Sequence, residues 1–283
     1  MITEAQTDLQ ALQARRLRAW RQTPETRIPD AHAAAQLIVE FGVATLFPAS
    51  PEVPNLYHAY VGDPEAKAES EWDSPAGEVY SWRWILGRRE AGFYTAIVCG
   101  RPTWVSWDLL PAMIRLCGEL RTPDELFDSG VLSGNAYRLA QALEESDGVL
   151  STGDLRRLAR FPTGKDQRNA YLKAMAELDT RLLVAKVFSE NDEDMRHTLV
   201  VVRYPQAVAA AEAMTREEAL QRLLLAYLPH ALYAVPAVLA RHLKIPEAEL
   251  VAGLDRLLGA QQVATATVEG HKRPIYVWTG SPS

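Results

Sequence analysis

One stretch of this chain carries the residue types that read a nucleic acid. Arg168 lies three residues after Lys165, and Lys173 lies four after Asn169, a spacing that places them on one face of a helix. Arginine and asparagine are the usual readers of base edges, and lysine neutralises phosphate. Arg156 and Arg157 lie just upstream and suit phosphate contact. Near the end of the chain, Lys272 and Arg273 follow His271, a short basic run that suits a DNA backbone or minor groove. Each group also reads as an ordinary solvated face or turn.

Candidates for bond-breaking chemistry are sparser. Trp72, Tyr80, Trp82, Trp84, Tyr94, Trp104 and Trp107 crowd one region. Such rings stack on bases, line a pocket or fill a core. Asp73 follows Trp72, and His58 lies a little upstream; either could activate a water, and a carboxylate held against indoles would be a stronger base. The six histidines show no paired metal-ligand spacing. The acidic run Glu190, Asp192, Glu193, Asp194 lacks the spacing and glycine of a calcium loop. The chain has no phosphate-binding glycine loop, dinucleotide fingerprint or nucleophile elbow. No metal and no cofactor is expected.

These residues need elements to hold them. A polar helix is expected over residues 1–23, with Leu9, Leu12, Leu17 and Trp20 as its apolar stripe. Asp30 caps a helix from Ala31 to Phe41, which Gly42 ends, and Val43 to Phe47 is a short apolar segment. Val53 to Tyr60 carries a helical turn. Tyr80, Trp82 and Trp84 alternate and read as a strand or irregular aromatic face. Ala91–Cys99 and Thr103–Ser106 form a hairpin around Gly100-Arg101-Pro102. Helices follow over 108–119 and from Thr122.

The C-terminal half then repeats one order: three short helices and a hairpin. In the first copy, 135–203, the helices cover 136–145, 152–160 and 165–178, with Leu172, Met175, Ala176 and Leu178 facing the core. Its hairpin arms are Leu182–Phe188 and Thr198–Arg203. In the second, 216–278, Thr215 and Glu218 form a capping box. Helices cover 216–228, 235–243 and 246–258, and the hairpin arms are Val263–Val268 and Pro274–Trp278. This is the order of a winged helix-turn-helix, most often used on nucleic acid. The fold expected is α+β: tandem winged helix-turn-helix units, mainly helical, with small β-hairpin wings. The boundaries are 1–29 for an N-terminal helical extension, 30–134 for an α+β, winged-helix-like domain, 135–205 for one winged unit and 206–283 for the next.

Composition sets outer bounds. Nearly half of the 283 residues are apolar, yet no run approaches a membrane span, and Met1–Gln22 lacks the apolar stretch of a secretory signal. Cys99 and Cys117 read as buried, reduced thiols. A cytoplasmic, bacterial-type protein without membrane contact is the simplest placement. The net charge of −6 counts against a globally basic nucleic-acid binder. Charge is uneven, though: 151–181 holds seven bases against four acids, and 52–90 eight acids against four bases. A nucleic-acid surface must be local.

Several segments taken in order carry a family resemblance. They are Phe41-Gly42-Val43-Ala44-Thr45-Leu46-Phe47-Pro48, Tyr80-Ser81-Trp82-Arg83-Trp84, Phe93-Tyr94, Trp104-Val105-Ser106-Trp107-Asp108-Leu109-Leu110-Pro111, and the two C-terminal units. The chain resembles the AlkZ-like winged-helix DNA glycosylases of bacteria, specifically the divergent AlkZ-related branch, over most of its length beyond residue 30. The resemblance implies tandem winged helices around duplex DNA, and a Gln-x-Gln or Gln-x-Asp motif that positions water for N-glycosidic hydrolysis. Here Ala44-Thr45-Leu46 stands at that motif, and neither outer residue can orient water. Gln36 is the nearest glutamine and lies mid-helix. The reading that follows is a winged-helix, DNA-binding, repair-related protein without the family's chemistry. Its alternatives are a glycosylase with a relocated catalytic group, Asp73 or His58, or a protein-interaction module. Double-stranded DNA and protein partners are thus both open.

Overall fold

The computed structural model describes residues 8–69, 71–146, 148–161, 164–190, 194–268 and 273–280, with backbone alone for 165–167. One element order recurs three times among them: helix, strand, helix, helix, strand, strand. The first unit comprises α2 (Ala31–Phe41), β1 (Val43–Thr45), α3 (Leu56–Val61), α4 (Pro75–Arg88), β2 (Phe93–Val98) and β3 (Arg101–Val105). It is preceded by α1 (Leu9–Ala19). Linkers α5 (Leu110–Cys117) and α6 (Pro123–Asp128) lead to the second unit. That unit comprises α7 (Gly134–Glu145), β4 (Leu150–Ser151), α8 (Thr152–Leu158), α9 (Lys165–Thr180), β5 (Val184–Phe188) and β6 (Met195–Leu199). After α10 (Val200–Arg203) and α11 (Pro205–Ala213) comes the third: α12 (Arg216–Ala231), β7 (Tyr233–Ala234), α13 (Pro236–Leu243), α14 (Glu247–Gly259), β8 (Val263–Ala266) and β9 (Ile275–Trp278). Each unit closes a three-stranded antiparallel sheet with its last strand in the middle, in the orders β1-β3-β2, β4-β6-β5 and β7-β9-β8.

Local chemistry accounts for most boundaries. Asp30 accepts from the His32 and Ala33 amides to start α2, Ser151 accepts from Asp154 N to start α8, and the Thr215–Glu218 capping box is complete. Three expectations are overturned. Tyr80, Trp82 and Trp84 lie on α4, not on a strand. Ser74 caps that helix, Pro75 opens it, and Ala76, Val79, Trp82 and Leu86 form its buried stripe; the alternation of rings is accidental to a helical period. The second arm of the 184–199 hairpin stops at Leu199, and Val200–Arg203 turns into α10. On α9 the core-facing residues are Tyr171, Ala174, Met175 and Leu178, whereas Leu172 and Ala176 are exposed. Tyr171 claims the inward position, and Leu172, one residue on, is rotated out.

The first and third units share one hydrophobic core. Leu37, Ile38 and Phe41 of α2, Met113 and Ile114 of α5, and Leu220, Leu224 and Leu228 of α12 meet there. The second unit has its own core around Leu139, Leu143, Leu155, Tyr171, Leu178 and Val184. It docks on the first unit through Phe188. That ring packs against Trp84, Tyr94 and Trp104 and lies so close to Gly87 that a Cβ there would meet it at 2.2 Å. Thr95 donates to the Asp179 carbonyl at 3.1 Å across the same junction. Most of the crowded aromatics are therefore core and joint. Cys99 corrects the expected pair of buried thiols: it is exposed at the β2–β3 turn, with φ +52°. Cys117 is held back from solvent, and burial pushes its thiol up to about 12. Both are free.

A buried ion pair fastens α1 to the rest. Arg16, on this polar helix, is 3% exposed. Its Nε donates to the Ala231 carbonyl at 2.7 Å, one Nη to the Pro51 carbonyl at 3.0 Å and Glu52 Oε1 at 3.1 Å, and the other Nη to the Tyr233 carbonyl. Glu52 also accepts from Tyr227 Oη at 2.6 Å. Burial opposes the arginine's charge, but Glu52, with Tyr227 and Tyr233, outweighs it and raises the Arg16 pKa. Burial and Glu52 push the Tyr227 phenol well above its ordinary value.

Two stability predictions follow from these buried groups. Arg16→Ala strands the Glu52 carboxylate and should cost about 3–5 kcal/mol in urea unfolding, whereas Arg16→Met with Glu52→Leu should recover most of it. A double variant as unstable as the single one would refute the account. The second concerns His197 on β6, which is 5% exposed. Its Nε2 lies 3.2 Å from Thr152 Oγ1, whose proton goes to the Met195 carbonyl. Burial, with Lys186 nearby, depresses its pKa to about 4. The neutral ring is favoured above the unfolded value of 6.5, so stability should fall as pH drops from there towards 4, by about 2 kcal/mol at pH 5. His197→Leu should flatten that acid limb; an unchanged limb would assign it to other groups.

Candidate nucleic-acid interface

Opposite its buried residues, α9 turns a largely polar face to solvent. Its carboxy-terminal half is anchored: Asp179 pairs with Lys186, and Glu177 accepts from the Ser133 amide at 2.9 Å and hydroxyl at 2.6 Å. Arg168, Asn169 and Lys173 are all exposed, with Leu172, 51% exposed, between them. Neither Arg168 nor Lys173 has an ion-pair partner among the described residues. The backbone puts Lys165 at the first turn of the same helix; its side chain is outside the described part. The helix thus brings together the predicted residues whose side chains are described.

The flanking predictions hold less evenly. Arg157 is exposed but paired with Asp154 at 2.6 Å. Arg156 is half-buried, with its guanidinium carbon 5.5 Å from the Tyr171 ring centroid. Lys272 lies outside the described residues, and Arg273 is bound to Glu247. The third helices of the other units differ in charge. On α14 the charged side chains are Glu247, Glu249, Asp255 and Arg256, and on α4 Arg83 lies over its own Tyr80 ring at 3.5 Å.

The two candidate catalytic groups are not brought together. His58, on α3, is buried and used in the fold: its Nδ1 meets Asn55 Nδ2 at 3.2 Å and its Nε2 the Ala66 carbonyl at 3.1 Å. Burial lowers its pKa. The ring lines a cleft of about 610 Å³ beside α1, but both its nitrogens are engaged. Asp73 is exposed in the turn before α4, so no indole shields it. Neither is arranged to hold a water against a substrate.

At Ala44-Thr45-Leu46 the geometry is closed. All three residues are 0% exposed. Ala44 pairs with Trp104 across the sheet, Thr45 N donates to the Pro54 carbonyl at 2.9 Å and Leu46 N to the Pro102 carbonyl at 2.8 Å. Thr45 Oγ1, the only polar side-chain atom there, lies 3.4 Å from that same Pro54 oxygen. Gln36 points away, exposed, with Nε2 3.4 Å from His32. The stretch is core.

Sequence recognised none of the roles of Arg16, Glu52 and Tyr227. An arginine in a polar helix gives no sign of burial, and its acceptors include backbone carbonyls that leave no trace in residue type.

Comparison with known proteins agrees with this architecture. The structure of Streptomyces sahachiroi DNA glycosylase AlkZ superposes with a TM-score of 0.59 over 97% of this chain and 71% of that one, at 15% identity, a likeness of fold. No curated protein sequence matches. Among the described residues, no helix is long and apolar enough to cross a membrane. The family model described as AlkZ related matches residues 28–243. The chain belongs to the AlkZ-related family.

Proposed function

We propose that this chain is a duplex-DNA-binding protein built from three winged helix-turn-helix units, which grips DNA through α9 and does not use the family's glycosylase motif. The observation that carries the binding is the outer face of α9, where Arg168, Asn169 and Lys173 stand exposed and the two cations have no ion-pair partner among the described residues. In a winged helix the third helix enters the major groove. A guanidinium there can bond two acceptors of guanine, and an amide two atoms of adenine. Family membership supports this reading, and a related fold belongs to an enzyme named for action on DNA. The domain divisions at 29, 134 and 205 and a cytoplasmic location belong to the same proposal.

Loss of chemistry is argued from the closed Ala44-Thr45-Leu46 stretch. Hydrolysis of an N-glycosidic bond needs a water beside the sugar and a group to orient it. Two buried hydrocarbon side chains and an engaged threonine supply neither. Relocation to His58 or Asp73 is disfavoured, because one is tied at both nitrogens and the other is open to bulk solvent.

A protein-contact role has its own support. Leu158 and Leu172 are 48% and 51% exposed on α8 and α9, and the hairpin beside them carries Glu190.

Fluorescence polarisation with a labelled duplex tests the binding. The logarithm of affinity should fall linearly with that of salt; Lys173→Ala should make the slope shallower by about one phosphate contact, and Arg168→Ala should cost about 1–3 kcal/mol of affinity. A flat salt response with co-purifying protein would favour the protein-contact role. An alkylated duplex incubated with excess protein under binding conditions should yield no abasic sites above a blank; release would restore an enzymatic reading.

A further inference from the structure

The acidic first unit holds a second feature, far in chemistry from α9. Between Ala68, Glu69, Glu71 and Trp72 on one side and α4 on the other lies a cleft of about 350 Å³, within the range of small-molecule sites. Its walls are aromatic. Trp72 and Tyr80 meet edge to face, with centroids 5.8 Å apart and planes at 64°, and Phe47 is a third ring. Trp72 is 73% exposed and Tyr80 41%. An indole left this open forgoes about 1.5–3 kcal/mol of burial, and a large apolar surface beside a cleft is a mark of a binding site.

Charge then selects the occupant. Glu69 and Glu71 line the cleft, and among the described residues no lysine or arginine does. Neither carboxylate has an ion-pair partner among the described residues. One face of the Tyr80 ring is taken by Arg83, whose guanidinium carbon lies 3.5 Å from its centroid, so the open ring surface for a cation is chiefly that of Trp72. The walls are held in place: Ser74 Oγ donates to the Glu71 carbonyl at 2.6 Å and accepts from Gly77 N at 3.2 Å. Gly77 lets that turn close on α4, because a Cβ there would lie 2.0 Å from the Trp72 carbonyl oxygen.

We propose that this cleft binds a small organic cation with an apolar body, of which a quaternary ammonium is the simplest form. The ring faces attract the cation through their quadrupoles and take up its methyl groups. The two carboxylates add long-range attraction and turn anions away. Phosphate backbones are repelled by the same pair, so the cleft is separate from the DNA-binding face.

Calorimetry on the full chain with choline and phenyltrimethylammonium tests this, with 3,3-dimethylbutan-1-ol as the neutral isostere of choline. Saturable binding of the cations is expected, with the neutral isostere about tenfold weaker. Trp72→Ala should weaken cation binding at least about tenfold, and Glu69→Gln with Glu71→Gln about fivefold at low salt. Both variants change exposed side chains, and circular dichroism checks that they fold. No saturable binding of either cation, equal affinity for the isostere, or unchanged affinity in Trp72→Ala would each overturn the proposal.

Discussion

The arrangement of the first and third units depends on the buried guanidinium of Arg16. Four of its five N–H donors are used, on partners from residues 51–52, from the end of α12 and from β7. Two of the acceptors, the Ala231 and Tyr233 carbonyls, lie where α12 gives way to β7, and a helix end leaves its carbonyls short of donors. One planar cation therefore completes a helix end, neutralises a buried carboxylate and seats α1. Burying two charges is costly in itself, so such a pair contributes less to net stability than to fixing one arrangement. A hydrophobic contact of equal size would hold these segments together without aiming them.

The second unit is joined by different physics. Phe188 enters a socket of Trp84, Tyr94 and Trp104, and the absence of a side chain at Gly87 lets it seat fully. Thr95 and the Lys186–Asp179 pair add direction around that apolar plug. Because Asp179 belongs to the last turn of α9, the same junction that docks the second unit also sets where α9 points. The aromatic cluster thus positions α9.

Much of this fold was legible from caps and periods. Asp30, Ser151 and the Thr215–Glu218 box are local devices, and local chemistry can be read from neighbours in sequence. The α9 face was legible for the same reason, since several charged and amide side chains sharing one helical face seldom find buried partners together. What escaped was long-range. The alternation of Tyr80, Trp82 and Trp84 suggested a strand, and only a core placed against Val79 and Leu86 makes α4 a helix. Leu172 was assigned inward because it is apolar, yet Tyr171 took the position. Arg16 had no signature, because two of its acceptors are backbone carbonyls over 200 residues away in sequence and a third is the carbonyl of Pro51.

The contrast between Ala44-Thr45-Leu46 and α9 bears on how such a chain diverges. Strand β1 is an edge of the first unit's sheet, but Ala44, Thr45 and Leu46 are buried, so a polar pair there to hold water must be supported by a cavity and by hydrogen-bond partners of its own. Alanine and leucine remove that requirement and let the sheet close on itself, with Ala44 against Trp104. The outer face of α9 answers to no such packing constraint, because its residues end in solvent. Catalytic capacity can therefore be lost by filling a core, a change that favours stability, while a binding surface persists independently of it. On the proposed function, an exposed polar face on α9 beside a closed Ala44-Thr45-Leu46 stretch follows from those two unequal constraints.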